Sequence, residues 1–142
     1  AILQKLANRA YRRPATQAEV QHLVDLTEMV RRDGGTFEEG IRLAVQAVLV
    51  SPHFFFRVEH GKAPKAGPDG RPVVEPLGDF ELASRLSYFV WSSMPDQELF
   101  QAALAGKLRT PEGLAAQARR MLKDPKSTAL VQNFATQWLH LG

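Results

Sequence analysis

The stretch that decides the fold is residues 16–35, which read TQAEVQHLVDLTEMVRRDGG. Thr16 and Glu19 are spaced as a capping box, in which each side chain accepts a hydrogen bond from the other residue's backbone N–H at the start of a helix. Gly34-Gly35 has the composition of a helix stop. Between these signals, apolar residues recur at the spacing of one helix face. They are Val20, Leu23, Val24, Thr27 and Val30.

Comparable start signals recur from one end of the chain to the other. Two read as capping boxes, and two place a cap residue before a proline at the first helical position. They are Thr36-Phe37-Glu38-Glu39, Ser93-Met94-Pro95-Asp96, Thr110-Pro111-Glu112 and Asp124-Pro125. The sequence contains no strong strand pattern and no internal repeat. We predict an all-α fold, an irregular multi-helix bundle of about seven helices in two packed blocks.

The apolar pattern also predicts how single helices pack. The helix that starts at Thr36 is apolar around most of its circumference, so we predict a central helix. In the second block, Phe80, Ala83, Leu86, Phe89 and Val90 are predicted to face inward. In the last helix, one row contains Leu130, Phe134, Trp138 and Leu141.

A segment rich in proline and glycine separates the two blocks. Residues 61–76 contain enough of both to break helical periodicity. We predict an N-terminal helical block over residues 1–60, a Pro/Gly-rich linker over 61–76 and a C-terminal helical block over 77–142. An exposed linker of this kind is cut first by trypsin, here at Lys62, Lys65 or Arg71.

Composition excludes several classes of site. The 142 residues are 44% hydrophobic and 23% charged, as in ordinary globular proteins. The absence of cysteine excludes disulfides, thiolate zinc sites, iron–sulfur clusters and covalent c-type haem attachment within this chain. No apolar run approaches the length of a membrane span. Because the chain starts at Ala1 inside a helical pattern, we expect it to be a piece of a longer protein.

Five aromatic residues are candidates for docking onto a partner. Trp91 and Trp138 each lie near a predicted helix end, where the ring packs on the core while the indole N–H reaches a hydrogen-bond partner. Packing explains both, and docking is the alternative. Phe54, Phe55 and Phe56 are consecutive and cannot all face one core. At least one of them is therefore predicted to face another surface.

Basic residues are the candidates for binding a polyanion. The chain has 18 basic and 15 acidic residues, a net charge of +3. Arg9, Arg12 and Arg13 form the cluster that would contact DNA or an acidic glycan through salt-sensitive binding. Because acidic residues are interspersed and no basic stripe dominates, we do not expect nucleic-acid binding.

Candidates for catalysis or metal binding are few. Glu19 and His22 form a Glu-x-x-His pair, which is half of a di-iron carboxylate motif, but the second copy is missing. His22 falls about 130° from the centre of the apolar face, so it is predicted to face water. His53, His60 and His140 are isolated. We predict no catalytic, cofactor-binding or metal-binding residue in this chain.

Several phrases resemble a pair of known helical domains. Residues 9–14, 37–41 and 49–54 resemble one domain of unknown function, and residues 82–96 (LASRLSYFVWSSMPD) and 133–139 (NFATQWL) resemble its usual neighbour. These paired domains look like those of planctomycete-type multidomain proteins that also carry c-type cytochrome-like domains. The resemblance implies an exported protein, periplasmic or at the cell surface, with haem bound elsewhere. It implies no catalytic residues here.

We therefore expect a non-catalytic structural or interaction module that packs against other domains of its parent protein, such as a c-type cytochrome domain. One alternative is an accessory part of an oxidoreductase whose active site is completed by a neighbouring haem domain. The other is a polyanion-binding module. A pocket lined by Asp79, Arg85, Asp96 or His53 with perturbed ionisation favours the enzyme. An exposed aromatic patch around Trp91, Trp138 or Phe56 favours docking.

Overall fold

The computed structural model describes residues 2–57 and 76–139, and within the last helical segment, 131–139, it leaves out the side chains at positions 135, 137 and 139. The described residues are helical apart from short connections and contain no strand, which confirms the all-α prediction. The chain divides into two compact units, Ala1–Val58 and Glu59–Gly142. Residues 61–75 of the predicted linker, with their trypsin sites, lie outside the described residues, as do His60, His140 and Leu141.

The first unit contains four helices, α1 (Ile2–Tyr11), α2 (Gln17–Arg32), α3 (Phe37–Val50) and α4 (Pro52–Phe55). Both predicted capping boxes form. The Thr16 hydroxyl accepts from the Glu19 N–H at 3.2 Å, and the Thr16 N–H donates to Glu19 Oε2 at 2.7 Å. Thr36 and Glu39 repeat the pattern with the same two distances. Gly34 ends α2 with a φ of +85°, a conformation that favours glycine.

Helices α2 and α3 make the most extensive contact of the first unit, and Gly40 permits it. A Cβ atom on Gly40 would lie 2.8 Å from Thr27 Cγ2 and 3.0 Å from the Thr27 carbonyl oxygen. Thr27 is itself buried, and its hydroxyl donates to the Leu23 carbonyl at 2.9 Å. The two helices therefore approach at a position where only glycine fits.

The prediction of α3 as a central helix is confirmed only in part, because α3 contacts each of the other three helices of the first unit but is not buried on most sides. Its buried residues, Gly40, Ala44 and Val48, form one face. Its two terminal turns expose other apolar side chains: Phe37 is 53% exposed and Val50 is 72% exposed. Small side chains bring this face close to α2, and α1 and α4 also contact the helix.

The second unit contains α5 (Asp79–Trp91), α6 (Gln97–Leu104) and α7 (Pro111–Leu122). A 3₁₀ turn (Pro125–Ser127), α8 (Thr128–Leu130), a π-helical turn (Val131–Ala135) and α9 (Thr136–Leu139) follow. Its core consists of Ala83, Val90, Trp91, Leu99, Ala102, Ala103, Leu108 and Met121.

Two predictions for the second unit need correction. Phe89 is 60% exposed, because Ser87, Val90 and Trp91 supply the buried positions of the last turns of α5. Ser93 does not cap a helix. The cap of α6 is Asp96, whose carboxylate accepts from the Leu99 N–H at 2.9 Å. Aspartate at this position satisfies a free N–H and suits the helix dipole.

Candidate functional site

Trp91 belongs to the core of the second unit. It is only 4% exposed, and its indole N–H donates to the Met121 carbonyl oxygen at 3.0 Å. Two cations lie against its ring, with the Arg120 guanidinium carbon 5.5 Å and Lys126 Nζ 4.9 Å from the centroid. Its ring and its N–H are both used within the unit, as the packing interpretation predicts, so the alternative of Trp91 as a docking residue is corrected.

Asp96 and Arg120 form an ion pair beside this tryptophan. Arg120 donates to both carboxylate oxygens, at 2.7 and 3.0 Å, and its Nε lies 3.0 Å from Glu98 Oε1. Burial opposes ionisation of Asp96, but the hydrogen bonds from Arg120 and Leu99 outweigh burial and lower its pKa. The hydrogen bond to Asp96 raises the pKa of Arg120. Asp96 is therefore a fixed negative charge that holds α6 to α7.

The last helical segment carries a group of exposed apolar side chains, which we call the C-terminal aromatic face. It consists of Val131, Phe134 and Trp138, with exposed fractions of 64%, 51% and 75%. The rings of Phe134 and Trp138 stack at 5.7 Å with an angle of 17° between their planes. Asn133 Nδ2 donates to Ser92 Oγ at 2.6 Å, which ties this segment to the end of α5. Trp138 remains a candidate docking residue.

The three consecutive phenylalanines divide as predicted. Phe54 packs against the core of the first unit. Phe55 and Phe56 are each 66% exposed, and Phe55 meets Phe54 edge-on at 5.8 Å. Phe55 and Phe56 therefore remain candidates for docking, whereas Phe54 is explained by packing.

Arg12 is unavailable to a polyanion. Its side chain is buried, and Nη2 donates to the carbonyl oxygens of His53, Phe54 and Phe56 at 2.8, 3.1 and 3.2 Å. Its backbone adopts a φ of +57°, an uncommon conformation for a side chain of this size. Arg12 thereby satisfies carbonyl groups at the end of α4.

Arg13 is also engaged, so the predicted polyanion cluster does not form. Its guanidinium donates to Glu19 through Nη1 to Oε2 at 2.9 Å and Nη2 to Oε1 at 2.7 Å. These hydrogen bonds, with those from Thr16, lower the pKa of Glu19 to about 2. Of the three arginines, Arg9 alone has an exposed side chain. One exposed charge is too little for binding dominated by phosphate contacts.

A cleft of about 380 Å³ lies among the four helices of the first unit. His53 Nε2 lies 3.4 Å from Glu19 Oε1, and the His53 ring meets the Tyr11 ring edge-on at 5.4 Å. The remaining lining residues are His22, Leu23, Ala47, Val50, Ser51 and Pro52. Sequence reasoning missed this arrangement because Glu19 and His53 are far apart in the chain and no local motif links them.

Glu19, the carboxylate of the cleft, is poorly suited to exchanging protons near neutral pH. A carboxyl group with a pKa of about 2 stays ionised near neutral pH, so Glu19 acts as a fixed charge. His22 faces water, as predicted. Within residues 2–57 and 76–139, no group of three or more histidine, aspartate or glutamate side chains is placed to hold a metal ion.

In the described part of the chain, no helix has both the length and the apolar character that crossing a membrane requires.

Comparison with known proteins finds a family match in each half of the chain. Residues 1–59 match the family described as PSD5, protein of unknown function (DUF1595). Residues 77–142 match the family described as PSD4, protein of unknown function (DUF1592). No curated protein and no solved structure matches the chain. The expected pair of helical domains of unknown function is thus confirmed as two adjacent matches, DUF1595 followed by DUF1592.

Proposed function

We propose that this chain is a non-catalytic helical module that packs against, or positions, other domains of a larger exported protein that also carries a c-type cytochrome domain. The observation that carries the proposal is the C-terminal aromatic face, where Trp138 is 75% exposed and stacked on Phe134. The exported setting and the cytochrome domain rest on the sequence resemblance alone.

The size of this face favours a partner that is covalently linked. At roughly 150–250 Å² of surface per aromatic side chain, Phe134 and Trp138 together leave about 300 Å² exposed. Covering that area gains about 7 kcal/mol at about 25 cal/mol per Å². Free association costs roughly 4–15 kcal/mol in lost motion, whereas a tethered neighbour binds at high effective concentration. A domain of the same polypeptide is therefore the partner this face suits best.

Charge supports the same conclusion. The segment 128–139, TALVQNFATQWL, contains no charged side chain, so a covering domain would desolvate no ion there. By contrast, Arg13, Glu19, Asp96 and Arg120 are paired within their own units. The ionisable groups with the clearest pKa shifts thus fix helix ends, which is the pattern of a structural module.

The two alternative functions have less support than the docking module. The polyanion site loses Arg12 and Arg13 to internal hydrogen bonds. His53 does line a cleft, as an enzyme would require, but the perturbed group beside it is a permanently ionised carboxylate. We therefore retain the docking module as the proposed function.

The proposal can be tested by replacing the exposed tryptophan. We expect Trp138→Ser to leave hydrogen exchange of α5 and α8 unchanged in the isolated chain, because its side chain is mostly in water. In the complete polypeptide, a docked domain slows exchange in these helices, and Trp138→Ser removes that protection. Met29→Ser is the control, since Met29 is 47% exposed but lies on α2 of the first unit. Equal protection in the wild type and in Trp138→Ser would contradict the proposal.

A further inference from the structure

The last helical segment of the second unit, residues 131–139, is exposed although it carries large apolar side chains. No described residue of the segment belongs to the core of its own unit. Wherever the structure describes burial in this segment, the residue is exposed. Amphipathic helices normally bury their apolar face against a core, so this segment is an exception. It also begins with a π-helical turn, Val131–Ala135, a rare element that is frequent at functional sites.

The two sides of the segment differ in polarity. Phe134 and Trp138 lie on one side, since their rings stack at 5.7 Å. Successive helical residues are about 100° apart, so residues two positions away lie on nearly opposite sides. Gln132 and Thr136 are therefore opposite the stacked rings. The segment is tied to its own unit through a polar side chain, Asn133, whose amide donates to a hydroxyl at the end of α5. The apolar side is thus left for a partner.

Spacing and charge define the surface of that partner. Val131, Phe134 and Trp138 are spaced i, i+3 and i+7, as in helices whose apolar side lies in a hydrophobic groove. The segment contains no charged residue, and the nearest charge before it, Lys126, lies over the Trp91 ring. A charge on the partner would therefore be desolvated without a counter-ion. The walls of a groove also cover the flanks of a helix, which adds to the area of about 300 Å² that the two rings expose.

We propose that residues 131–139 dock as a continuous helix in an uncharged, apolar groove on a neighbouring domain of the same polypeptide. Phe134 and Trp138 are the central anchors, and Val131 contacts the groove at the start of the segment. A tethered domain is favoured over a second copy because the exposed area is small for free association. This inference rests on the proposed function and adds the chemistry of the partner surface.

The continuity of the helix is tested in the complete polypeptide by hydroxyl-radical labelling of Trp138. Thr136→Pro removes a backbone N–H and breaks the helix between the two anchors. We expect Thr136→Pro to raise the labelling of Trp138 about fivefold, to that of the isolated chain, and Thr136→Ser to leave it low. Equally low labelling in Thr136→Pro and in the wild type would overturn the groove-bound helix and leave the docking module intact. Heavy labelling of Trp138 in the wild type would contradict both.

Three lysine substitutions test the groove itself. Val131→Lys and Phe134→Lys place a charge against apolar walls, so each should raise the labelling of Trp138 about fivefold in the complete polypeptide. Gln132→Lys is the matched control, since its charge points away from the anchors, and it should leave the labelling low. Loss of protection in Gln132→Lys would indicate a helix enclosed on all sides, and retained protection in Val131→Lys would indicate a flat contact. Either result would overturn the proposal.

Two further readouts come from the same experiment. Trp91 is 4% exposed and should stay weakly labelled in every variant, which shows that the second unit remains folded. In the isolated wild-type chain, the labelling of Trp138 should not depend on protein concentration. A fall in labelling at higher concentration would show that a second copy covers the C-terminal aromatic face, and the proposed groove would be wrong.

Discussion

Arg12 and Arg13 are adjacent in sequence, yet each one has a different structural role. Arg12 donates to three carbonyl oxygens at the end of α4, and Arg13 makes a two-point ion pair with Glu19. A row of arginines in a sequence looks like a binding patch because the intervening backbone is unknown. Here α1 ends at Tyr11, and Arg12 turns the chain with a positive φ. The two guanidinium groups thus reach different partners.

Glu19 leads to a prediction of how the free energy of unfolding changes with pH. Its pKa is about 2 in the folded chain against 4.5 for an ordinary glutamate, so ionised Glu19 stabilises the fold above pH 4.5. That stability is lost as the pH falls from 4.5 towards 2, because the unfolded chain takes up the proton first. Allowing for solvent screening, we expect a loss of about 1–3 kcal/mol. Urea unfolding at pH 6 and at pH 2.5 measures this loss of unfolding free energy.

Glu19→Gln is the matched control, because an amide can still accept from Thr16 but carries no charge. The wild type should be more stable than Glu19→Gln at pH 6, and the difference should shrink to about a quarter of that value at pH 2.5. A difference that is the same at both pH values would show that the ion pair with Arg13 contributes nothing.

At the scale of the helix, the sequence predicts where helices begin more accurately than which face of each helix is buried. The caps at Thr16, Thr36 and Thr110 form because each depends on residues within one turn. The burial of α3 and of Phe89 was mispredicted, since an apolar arc shows which side chains could be buried and not which neighbour covers them. The cleft was missed for the same reason. Its Glu19–His53 contact depends on how α2 and α4 meet, which no local pattern records.

The contact between α2 and α3 gives a second prediction. Gly40→Ala should destabilise the first unit by about 1–3 kcal/mol, since its Cβ would collide with Thr27, and overpacking outweighs alanine's better helix propensity. Urea unfolding followed by far-UV circular dichroism measures the change. Adding Thr27→Ser removes the colliding Cγ2 and keeps the hydroxyl, so it should restore part of the loss. A Gly40→Ala variant as stable as the wild type would contradict this close approach.

At the scale of the whole molecule, each unit has its own hydrophobic core and leaves large apolar side chains exposed to water. The first unit exposes Phe55 and Phe56, and the second exposes Phe134 and Trp138. Both units match families of unknown function. In the described residues, the Arg13–Glu19 and Asp96–Arg120 ion pairs each join elements within one unit. This distribution is what a docking module requires.

Hydroxyl-radical labelling of Trp138, read by mass spectrometry, addresses this docking role without any substitution. In the isolated chain, Trp138 should be labelled heavily and Trp91 weakly, because their exposed fractions are 75% and 4%. In the complete polypeptide, we expect labelling of Trp138 to fall at least fivefold, towards the level of Trp91, as a neighbouring domain covers the C-terminal aromatic face. Heavy labelling of Trp138 in both forms would contradict the docking module.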